Sequence, residues 1–263
     1  MELGLRKRIA CVAGASQGLG RAVARALAAE GCHLLLASRS EAALAALSDE
    51  LHAAHGVDVS FVACDLDGAE GAELVVDAVR ERHGRVDVLV TNNGGPPTGT
   101  FFDTDDMTWT LAWNRTLMSA VRLIRGLLPG MIAQGSGRVI NITSISAKQP
   151  VQRLLLSNAY RAAVTGMART LSDEVAARGV TVNCIAPGFI ATDRLVHLFE
   201  DRARQSGRTP EEERAATVGA IPAGRLGDPA EVGALAAFLA SDAAGYITGA
   251  TIQIDGGLHR GLL

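Results

Sequence analysis

Lysine and tyrosine are scarce in this sequence, whose 263 residues contain two of each. Charged residues make up 20% of the chain, and the formal net charge is −3. The sequence therefore lacks the basic field that binding to nucleic acid or to an anionic membrane would require. We expect neither of these as a partner.

The sequence has few cysteines, and their spacing is not that of a metal site. It also has no long apolar run. The four cysteines (Cys11, Cys32, Cys64 and Cys184) form no CxxC pair, and their neighbours are apolar. This pattern favours buried, reduced thiols in a cytoplasmic protein that binds no metal. The N-terminal segment reaches a glycine after a very short apolar run, which argues against a signal peptide. No stretch approaches the about 20 apolar residues of a membrane-spanning helix.

Short apolar runs alternate with longer amphipathic segments along the whole chain. The predicted strands are Ile9–Ala13, His33–Ala37, Val57–Val62, Val86–Thr91, Arg138–Thr143, Val180–Ala186 and Thr251–Ile254. Apolar spacing of three and four residues predicts helices that include Arg21–Glu30, Glu41–His55, Ala69–His83 and Asn158–Arg178. Several strands are apolar on both faces, as buried parallel strands are. The alternation predicts an α/β fold with a doubly wound parallel sheet, in one domain covering residues 1–263.

Residues 194–220 form the most polar and least strand-like stretch of the chain. They lie between a strand end and a late helix, where a helical lid over a substrate pocket is often inserted. The late helix has a clear start, because Asp228 is placed to cap it and Pro229 suits its first position. Glu231 completes the spacing of a capping box. We therefore predict a lid at 194–220.

The first predicted strand leads into the sequence AGASQGLG, in which Gly14, Gly18 and Gly20 stand at a strand-to-helix junction. Glycine lets the backbone approach a pyrophosphate, and a helix N-terminus supplies free N–H donors. The alternative interpretation is a tight turn with close helix–sheet packing. The position at the start of the fold favours nucleotide binding.

The end of the second strand indicates which nucleotide binds. The sequence LLLASRS places Ser38 and Arg39 there and no acidic residue. An acid would bind the ribose hydroxyls of NAD, whereas an arginine accommodates a 2′-phosphate. The motif therefore favours NADP(H), with a solvated surface role for Arg39 as the alternative.

Several further motifs, taken in their order and spacing, resemble the short-chain dehydrogenase/reductase family, and most closely its 3-oxoacyl-carrier-protein reductase branch. AGASQGLG resembles the family's TGxxxGxG loop, CDL at 64–66 resembles its adenine contact, and TNNGG at 91–95 resembles its NNAG motif. Asn114 matches the family's helix asparagine, and Ser144 in INITSIS matches its catalytic serine. VNCIAPGFIAT matches the segment that closes over the nicotinamide, and IPAGRLGDPAEV and ITGATIQIDGG match the C-terminal signatures.

The resemblance implies a single-domain Rossmann fold with seven strands in the order 3-2-1-4-5-6-7. It also implies a small-molecule substrate, a homotetramer or homodimer, and NADP(H) as the cofactor, with NAD(H) as the alternative. The loop and the resemblance together predict these cofactor-binding residues: Gly14, Ser16, Gln17, Gly18, Leu19, Gly20, Ser38, Arg39, Asp65, Leu66, Asn92, Asn93, Gly94, Arg161, Pro187, Gly188, Ile190 and Thr192.

The active-site helix departs from the family pattern, which places YxxxK thirteen residues after the catalytic serine. Counting from Ser144 reaches Ser157, and the downstream RAAVTGMARTL places Arg161 at the lysine position. The pair therefore reads Ser157-x3-Arg161. A serine hydroxyl is a poor general acid, and a guanidinium holds its proton too tightly to relay one. Cofactor binding should survive this exchange better than acid catalysis does.

Two neighbouring residues offer a substitute acid or cation. Tyr160 lies three residues after Ser157, and its phenol would reach the pocket if the side chain leaned toward the helix N-terminus. The alternative is that Tyr160 packs in the core or at a subunit contact. Lys148 stands in the loop after the fifth strand, where a solvated lysine is the simpler interpretation.

Three functional hypotheses follow. The first is an NAD(P)-dependent oxidoreductase that exchanges hydride with a small carbonyl or activated alkene. In it Asn114, Ser144, Ser157 and Arg161 are the catalytic candidates, and the proton comes from water, Tyr160 or the substrate. The second is a non-catalytic NADP(H)-binding sensor or the silent partner subunit of an active homologue. The third, methyl transfer on a similar sheet, is disfavoured by Ser38 and Arg39.

Overall fold

The computed structural model describes residues 2–262 and has a seven-stranded parallel sheet at its centre. The strands are β1 (Ile9–Ala13), β2 (His33–Ser38), β3 (Val59–Ala63), β4 (Val88–Thr91), β5 (Gly137–Ile142), β6 (Val180–Pro187) and β7 (Thr251–Ile254). Their order in the sheet is β3-β2-β1-β4-β5-β6-β7. This arrangement confirms the predicted fold class and the strand order that the resemblance implied.

Helices cover both faces of the sheet. They are α1 (Gly18–Ala29), α2 (Glu41–His55), α3 (Ala69–His83), α4 (Asp106–Ala112), α5 (Ser119–Ala133), α6 (Leu155–Val175), α7 (Asp193–Ser206), α8 (Pro210–Ala220) and α9 (Pro229–Ala240). One apolar core lies between the sheet and α1, α2 and α9, and the other lies between the sheet and α3, α5 and α6. On β2, Leu34 and Leu36 enter the first core and Leu35 enters the second, because successive side chains of a strand point to opposite faces.

The observed bounds differ from the predicted ones by a few residues. Strand β4 begins at Val88, two residues later than predicted, and the preceding Asp87 accepts a hydrogen bond from the backbone N–H of Ile9 (2.8 Å) through its carboxylate. Helix α6 begins at Leu155, three residues earlier than predicted. The Asn158 side chain binds the backbone N–H and C=O of Val151 (both 3.1 Å) instead of capping the helix.

Helices α4 and α5 are joined by a π-helical turn, Trp113–Met118, into one continuous helix, Asp106–Ala133. By length and composition this helix could cross a membrane, although the sequence analysis expected no such stretch. Leu123, Leu127 and Met131 of α5 are buried in the second core. A helix that packs in a protein core passes the same test of length and composition.

The two polar helices α7 and α8 occupy residues 193–220, where the sequence analysis placed the lid. The following helix α9 begins as predicted. Asp228 accepts a hydrogen bond from the N–H of Ala230 (2.8 Å), and Glu231 accepts one from the N–H of Asp228 (2.7 Å). Pro229 occupies the first helical position.

Candidate functional site

A cleft of about 1060 Å³ opens at the carboxyl ends of β1, β2, β4 and β5, beneath helix α7. Ligands of open α/β sheets bind at this edge, where the strand order reverses between β1 and β4. Of the predicted site residues, those that line the cleft are Gly14, Ser16, Gln17, Gly18, Leu19, Ser38, Arg39, Leu66, Asn92, Asn93, Gly94, Arg161 and Thr192. Residues predicted at distant points of the sequence therefore meet in one cavity.

The glycine loop between β1 and α1 has the backbone that a phosphate cradle needs. Gly14 and Gly18 have φ values of +62° and +54°, which favour glycine. A Cβ atom on Gly20 would lie 2.1 Å from the carbonyl oxygen of Gly14, so this glycine permits close packing beneath the loop. The Asn92 amide donates a hydrogen bond to the same carbonyl (3.4 Å) and ties the loop to the end of β4.

The end of β2 presents two unengaged polar groups at the cleft. The Ser38 hydroxyl is buried and has no hydrogen-bond partner among the described residues. Arg39 is exposed and forms no ion pair within the part of the chain that the structure describes. A buried hydroxyl without a partner is unfavourable unless a ligand satisfies it. The end of β2 thus offers a hydroxyl and a positive charge to a ligand in the cleft.

An ion-pair network that sequence reasoning missed supports the opposite wall of the cleft. Arg115 donates to the Asp67 carboxylate through Nε and Nη2 (2.9 and 2.6 Å), and the Asn93 amide donates to the same carboxylate (3.0 Å). Arg122 donates to the Asp67 carbonyl (3.0 Å) and to the Asn114 side chain (2.9 Å). Asn114 also donates to its own helix and does not line the cleft.

The predicted catalytic serines form a short chain of hydrogen bonds outside the cleft lining. Ser157 is only 4% exposed, and its hydroxyl lies 3.0 Å from that of Ser146. The Ser146 N–H donates to the Ser144 hydroxyl (3.1 Å), which leaves the proton of Ser144 available to another acceptor. Ser157 is therefore turned toward the loop that follows β5.

Arg161 is the one predicted catalytic residue that lines the cleft. Its Nη1 atom donates to the carbonyl oxygen of Ile142 at the end of β5 (2.7 Å). Desolvation, and after it the nearby charge of Arg194, lowers the pKa of Arg161 to about 10. The guanidinium thus stays charged near neutral pH and cannot serve as a proton relay.

Tyr160 faces helix α4. Its hydroxyl donates to the Trp109 carbonyl (3.2 Å), and its ring packs edge-to-face against Trp109 and Trp113 with centroids 5.7 and 6.0 Å away. Burial raises the pKa of Tyr160, which makes it a weaker acid than a free tyrosine. These contacts match the alternative that Tyr160 packs against its neighbours.

Arg194, in the first turn of α7, is a cleft residue that sequence reasoning missed. Its guanidinium lies against Gly95, where a Cβ atom would be 2.0 Å from Cζ, and it donates to the Pro96 carbonyl (3.3 Å). Desolvation and then the charge of Arg115 lower the pKa of Arg194. The available signal was its place two residues after Thr192.

The remaining predicted residues do not line the cleft. Pro187 ends β6, Gly188 packs so closely that a Cβ atom would be 2.8 Å from Asp255, and Ile190 pairs with Gly227. The Asp65 carboxylate accepts a hydrogen bond from the Asp67 N–H (3.0 Å). These residues, with Gly20, shape the backbone around the site.

The structure also shows the surroundings of Lys148 and of the four cysteines. Lys148 donates to the side chain of Gln253 (2.8 Å), away from the cleft lining. All four cysteines are free and buried. Residues 2–262 contain no group of three or more metal-ligating side chains.

Comparison with known proteins gives a consistent family assignment. The protein-family model described as enoyl-(acyl carrier protein) reductase matches residues 14–259. The chain is 35% identical to the 3-oxoacyl-[acyl-carrier-protein] reductase FabG of Vibrio harveyi over 257 residues, which is 98% of this chain and 99% of the relative. It is 35% identical to FabG of Escherichia coli K12 over 252 residues, 96% and 97% of the two chains.

Solved structures are similar over the full length. The L-sorbose reductase of Gluconobacter frateurii, complexed with NADPH and L-sorbose, superposes with a TM-score of 0.94 at 34% identity. The similarity covers 100% of both chains.

Proposed function

Since the chain belongs to the short-chain dehydrogenase/reductase family and is an NAD(P)-dependent oxidoreductase, we propose that it transfers hydride between NADP(H) and a small carbonyl compound or activated alkene. The bound cofactor supplies or accepts the hydride. We further propose that the proton does not come from a side chain of the active-site helix. The observation that carries this second proposal is the position of Ser157, buried and hydrogen-bonded to Ser146.

Different cleft residues would bind different parts of NADP(H). The glycine loop and the N-terminus of α1 offer backbone N–H groups to the diphosphate. Ser38 and Arg39 offer a hydroxyl and a charge to the 2′-phosphate, and neither has another partner in the described part of the chain. Arg161 lines the same cleft and adds a positive charge to it. The absence of an acid at the end of β2 favours NADP(H) over NAD(H).

A side-chain acid is hard to find at the reacting end of the cleft. Ser157 is a poor acid and does not line the cleft. Tyr160 donates a hydrogen bond to a backbone carbonyl of α4, and Arg161 holds its proton. Ser144 remains free to donate a hydrogen bond to a substrate oxygen. The role of Asn114 in positioning water rests on the family resemblance, since its amide is engaged by Arg122 and Thr110.

Water, or the substrate itself, would then supply the proton. This arrangement suits an activated alkene better than a ketone. Hydride addition to an enone gives an enolate, whose charge is delocalised and whose oxygen is a weaker base than an alkoxide oxygen. Ketone reduction instead develops a localised charge on an alkoxide oxygen, which needs a proton donor more strongly. We therefore expect enones to be turned over faster than matched saturated ketones.

The test compares cyclohex-2-enone with cyclohexanone while NADPH absorbance is followed. We expect oxidation of NADPH with the enone and little with the ketone. The double variant Ser157→Tyr with Arg161→Lys should gain ketone reduction, because it restores a tunable phenol and a cation. Equal rates for enone and ketone in the wild-type protein would contradict the proposed lack of a side-chain acid.

The alternative is a non-catalytic NADP(H)-binding sensor or the silent partner of an active homologue. The same buried Ser157 favours it, since a protein that only binds NADP(H) needs no acid. NADPH fluorescence should change on binding under both functions, whereas a wide panel of ketoacyl esters, quinones and enones would give no turnover under the alternative. Failure to bind either nicotinamide cofactor would overturn both.

We also propose a cytoplasmic homodimer or homotetramer. Large apolar side chains before and within α4 are exposed, with Phe101, Phe102 and Met107 at 67%, 93% and 76%. Exposed apolar side chains of this size favour burial in an interface. Light scattering should give a mass of two or four chains, and Phe102→Glu should lower it. A monomeric wild-type protein would contradict this assembly.

A further inference from the structure

We propose that Arg161 and Arg194 together bind a carboxylate group of the substrate, so that the enzyme prefers a small keto or enone acid over its neutral ester. This inference rests on the proposed function, because it assigns a chemical class to the substrate of the same cleft. The family motifs quoted above give Arg194 no role.

Arg161 brings an uncompensated charge into the cleft wall. It is partly buried, and its Nη1 atom is held by the carbonyl of Ile142, a neutral acceptor. The ion pairs formed by residues 2–262 do not include Arg161. Taking a charged group out of water without a counter-charge is unfavourable, so an anion at this point would stabilise it.

Arg194 adds a second uncompensated charge to the lining of the same cleft. It leans over Gly95 and donates only to the carbonyl of Pro96 among the described residues. It stands in the first turn of α7, where the helix dipole disfavours a cation. Desolvation, and after it the charge of Arg194, lowers the pKa of Arg161, so the two guanidinium groups repel each other. The arrangement has no apparent structural benefit without an anion.

The neighbouring charges do not neutralise this pair. Asp67 forms an ion pair with Arg115, so the negative charge of Asp67 is not available to Arg194. Asp193 and Asp201 also line the cleft, yet neither forms an ion pair with either arginine in the described chain. Asp201 instead accepts from Thr98 and pairs with Arg204. The region between α6 and α7 is therefore positive.

The pair lies away from the predicted phosphate sites. Gly95 and Pro96 follow β4, and Ile142 ends β5, whereas the glycine loop follows β1 and the 2′-phosphate site follows β2. The two arginines thus stand on the side of the cleft where the family resemblance places the nicotinamide and the substrate. A guanidinium offers two parallel donors that match the two oxygens of a carboxylate.

The experiment measures binding without turnover. Acetoacetate and methyl acetoacetate are titrated calorimetrically into the protein saturated with NADP⁺. We expect the wild-type protein to bind acetoacetate at least tenfold more tightly than the ester. Arg194→Gln should weaken acetoacetate binding by about 10- to 100-fold, as expected for loss of a hydrogen bond between charged groups, and leave the ester unchanged. Arg194→Lys should recover part of the loss.

The matched control is Arg214→Gln, which removes the same charge from α8. Arg214 is exposed and does not line the cleft, so this variant should bind acetoacetate as the wild type does. Equal weakening by both variants would show a general effect of charge and overturn the site.

Three other results would also be decisive. Equal affinity of the wild type for acetoacetate and its ester would overturn the inference. Weakening of NADPH binding by Arg194→Gln, with acetoacetate unaffected, would assign the arginine to a cofactor phosphate and overturn it as well. If NADP⁺ does not bind at all, the proposed function fails. In that case a preference of the cofactor-free protein for acetoacetate over the ester, lost in Arg194→Gln, would still support the anion site.

Discussion

The hydroxyl oxygen of Ser157 lies 3.0 Å from that of Ser146, and Ser157 is only 4% exposed. Ser157 is thus hydrogen-bonded to the loop after β5 and does not line the cleft. We propose that its role is structural, because it satisfies a buried polar neighbour.

The variant Ser157→Ala tests this role. We expect the rate of NADPH oxidation to stay within about twofold of the wild type, since no proton passes through Ser157. The free energy of unfolding should fall by about 1 kcal/mol, because Ser146 loses a buried partner. Ser144→Ala is the control and should lower the rate. A tenfold lower rate in Ser157→Ala would show that its hydroxyl takes part in catalysis.

Tyr160→Phe tests the other hydroxyl on the helix. The ring contacts with Trp109 and Trp113 remain, and only the bond to the Trp109 carbonyl is lost. We expect an unchanged rate and a loss of about 1 kcal/mol in unfolding free energy. Steady-state kinetics and urea unfolding measure the two quantities. A large loss of rate with little loss of stability would identify Tyr160 as the proton donor.

Arg39→Ala tests the choice of cofactor. The affinity for NADPH should fall by about 10- to 100-fold, because a hydrogen bond between charged groups is lost at the 2′-phosphate. The affinity for NADH should not change. Fluorescence titration of both cofactors gives the dissociation constants, with Arg214→Ala as the control. The same loss for NADPH and NADH would contradict the assignment of Arg39 to the 2′-phosphate.

The alkylation rate of Cys64, measured against pH and against added NADP⁺, tests where the cofactor binds. This cysteine lines the cleft and is 8% exposed; burial, and after it the charge of Asp65, raises the pKa of its thiol to about 11. The reactive thiolate is therefore rare at pH 8, so alkylation should be on the order of 100-fold slower than for a free thiol. The rate should rise with pH up to about 11 in folded protein.

Added NADP⁺ should slow this alkylation further, because it would cover the cleft. Cys184, whose thiol pKa is also raised to about 11 by burial, does not line the cleft and provides the internal comparison. Fast labelling of Cys64 at pH 8 would contradict the raised pKa, and labelling indifferent to NADP⁺ would place the cofactor elsewhere. Mass spectrometry of peptides distinguishes the two sites.

Features that depend on neighbouring residues are predictable from the sequence, and the glycine loop is one example. The spacing of Gly14, Gly18 and Gly20 at a strand-to-helix junction predicts the loop, and the structure gives the first two positive φ values and the third a close backbone contact. Asp228 and Glu231 form the capping box that their spacing predicts. Each of these features depends on residues only a few positions apart.

The strand bounds and the side-chain partners at the site were less predictable. Strand β4 begins two residues later than predicted, and the hydrogen bonds that delimit it come from a distant strand. The network of Asp67 and Arg115 joins residues 48 positions apart, and no local pattern marks it. The same is true of Tyr160, whose hydroxyl partner is 51 positions away in α4.

By itself the sequence predicted the parallel sheet, the glycine loop and the Ser157-x3-Arg161 pair, because each depends on residue type and local spacing. Only the tertiary structure decided where Ser157, Tyr160 and Arg194 point. Those directions depend on the loop after β5 for Ser157, on α4 for Tyr160 and on the loop after β4 for Arg194. The partners lie 11, 51 and 98 positions away, outside the helix that carries each residue, so the local sequence does not encode these contacts.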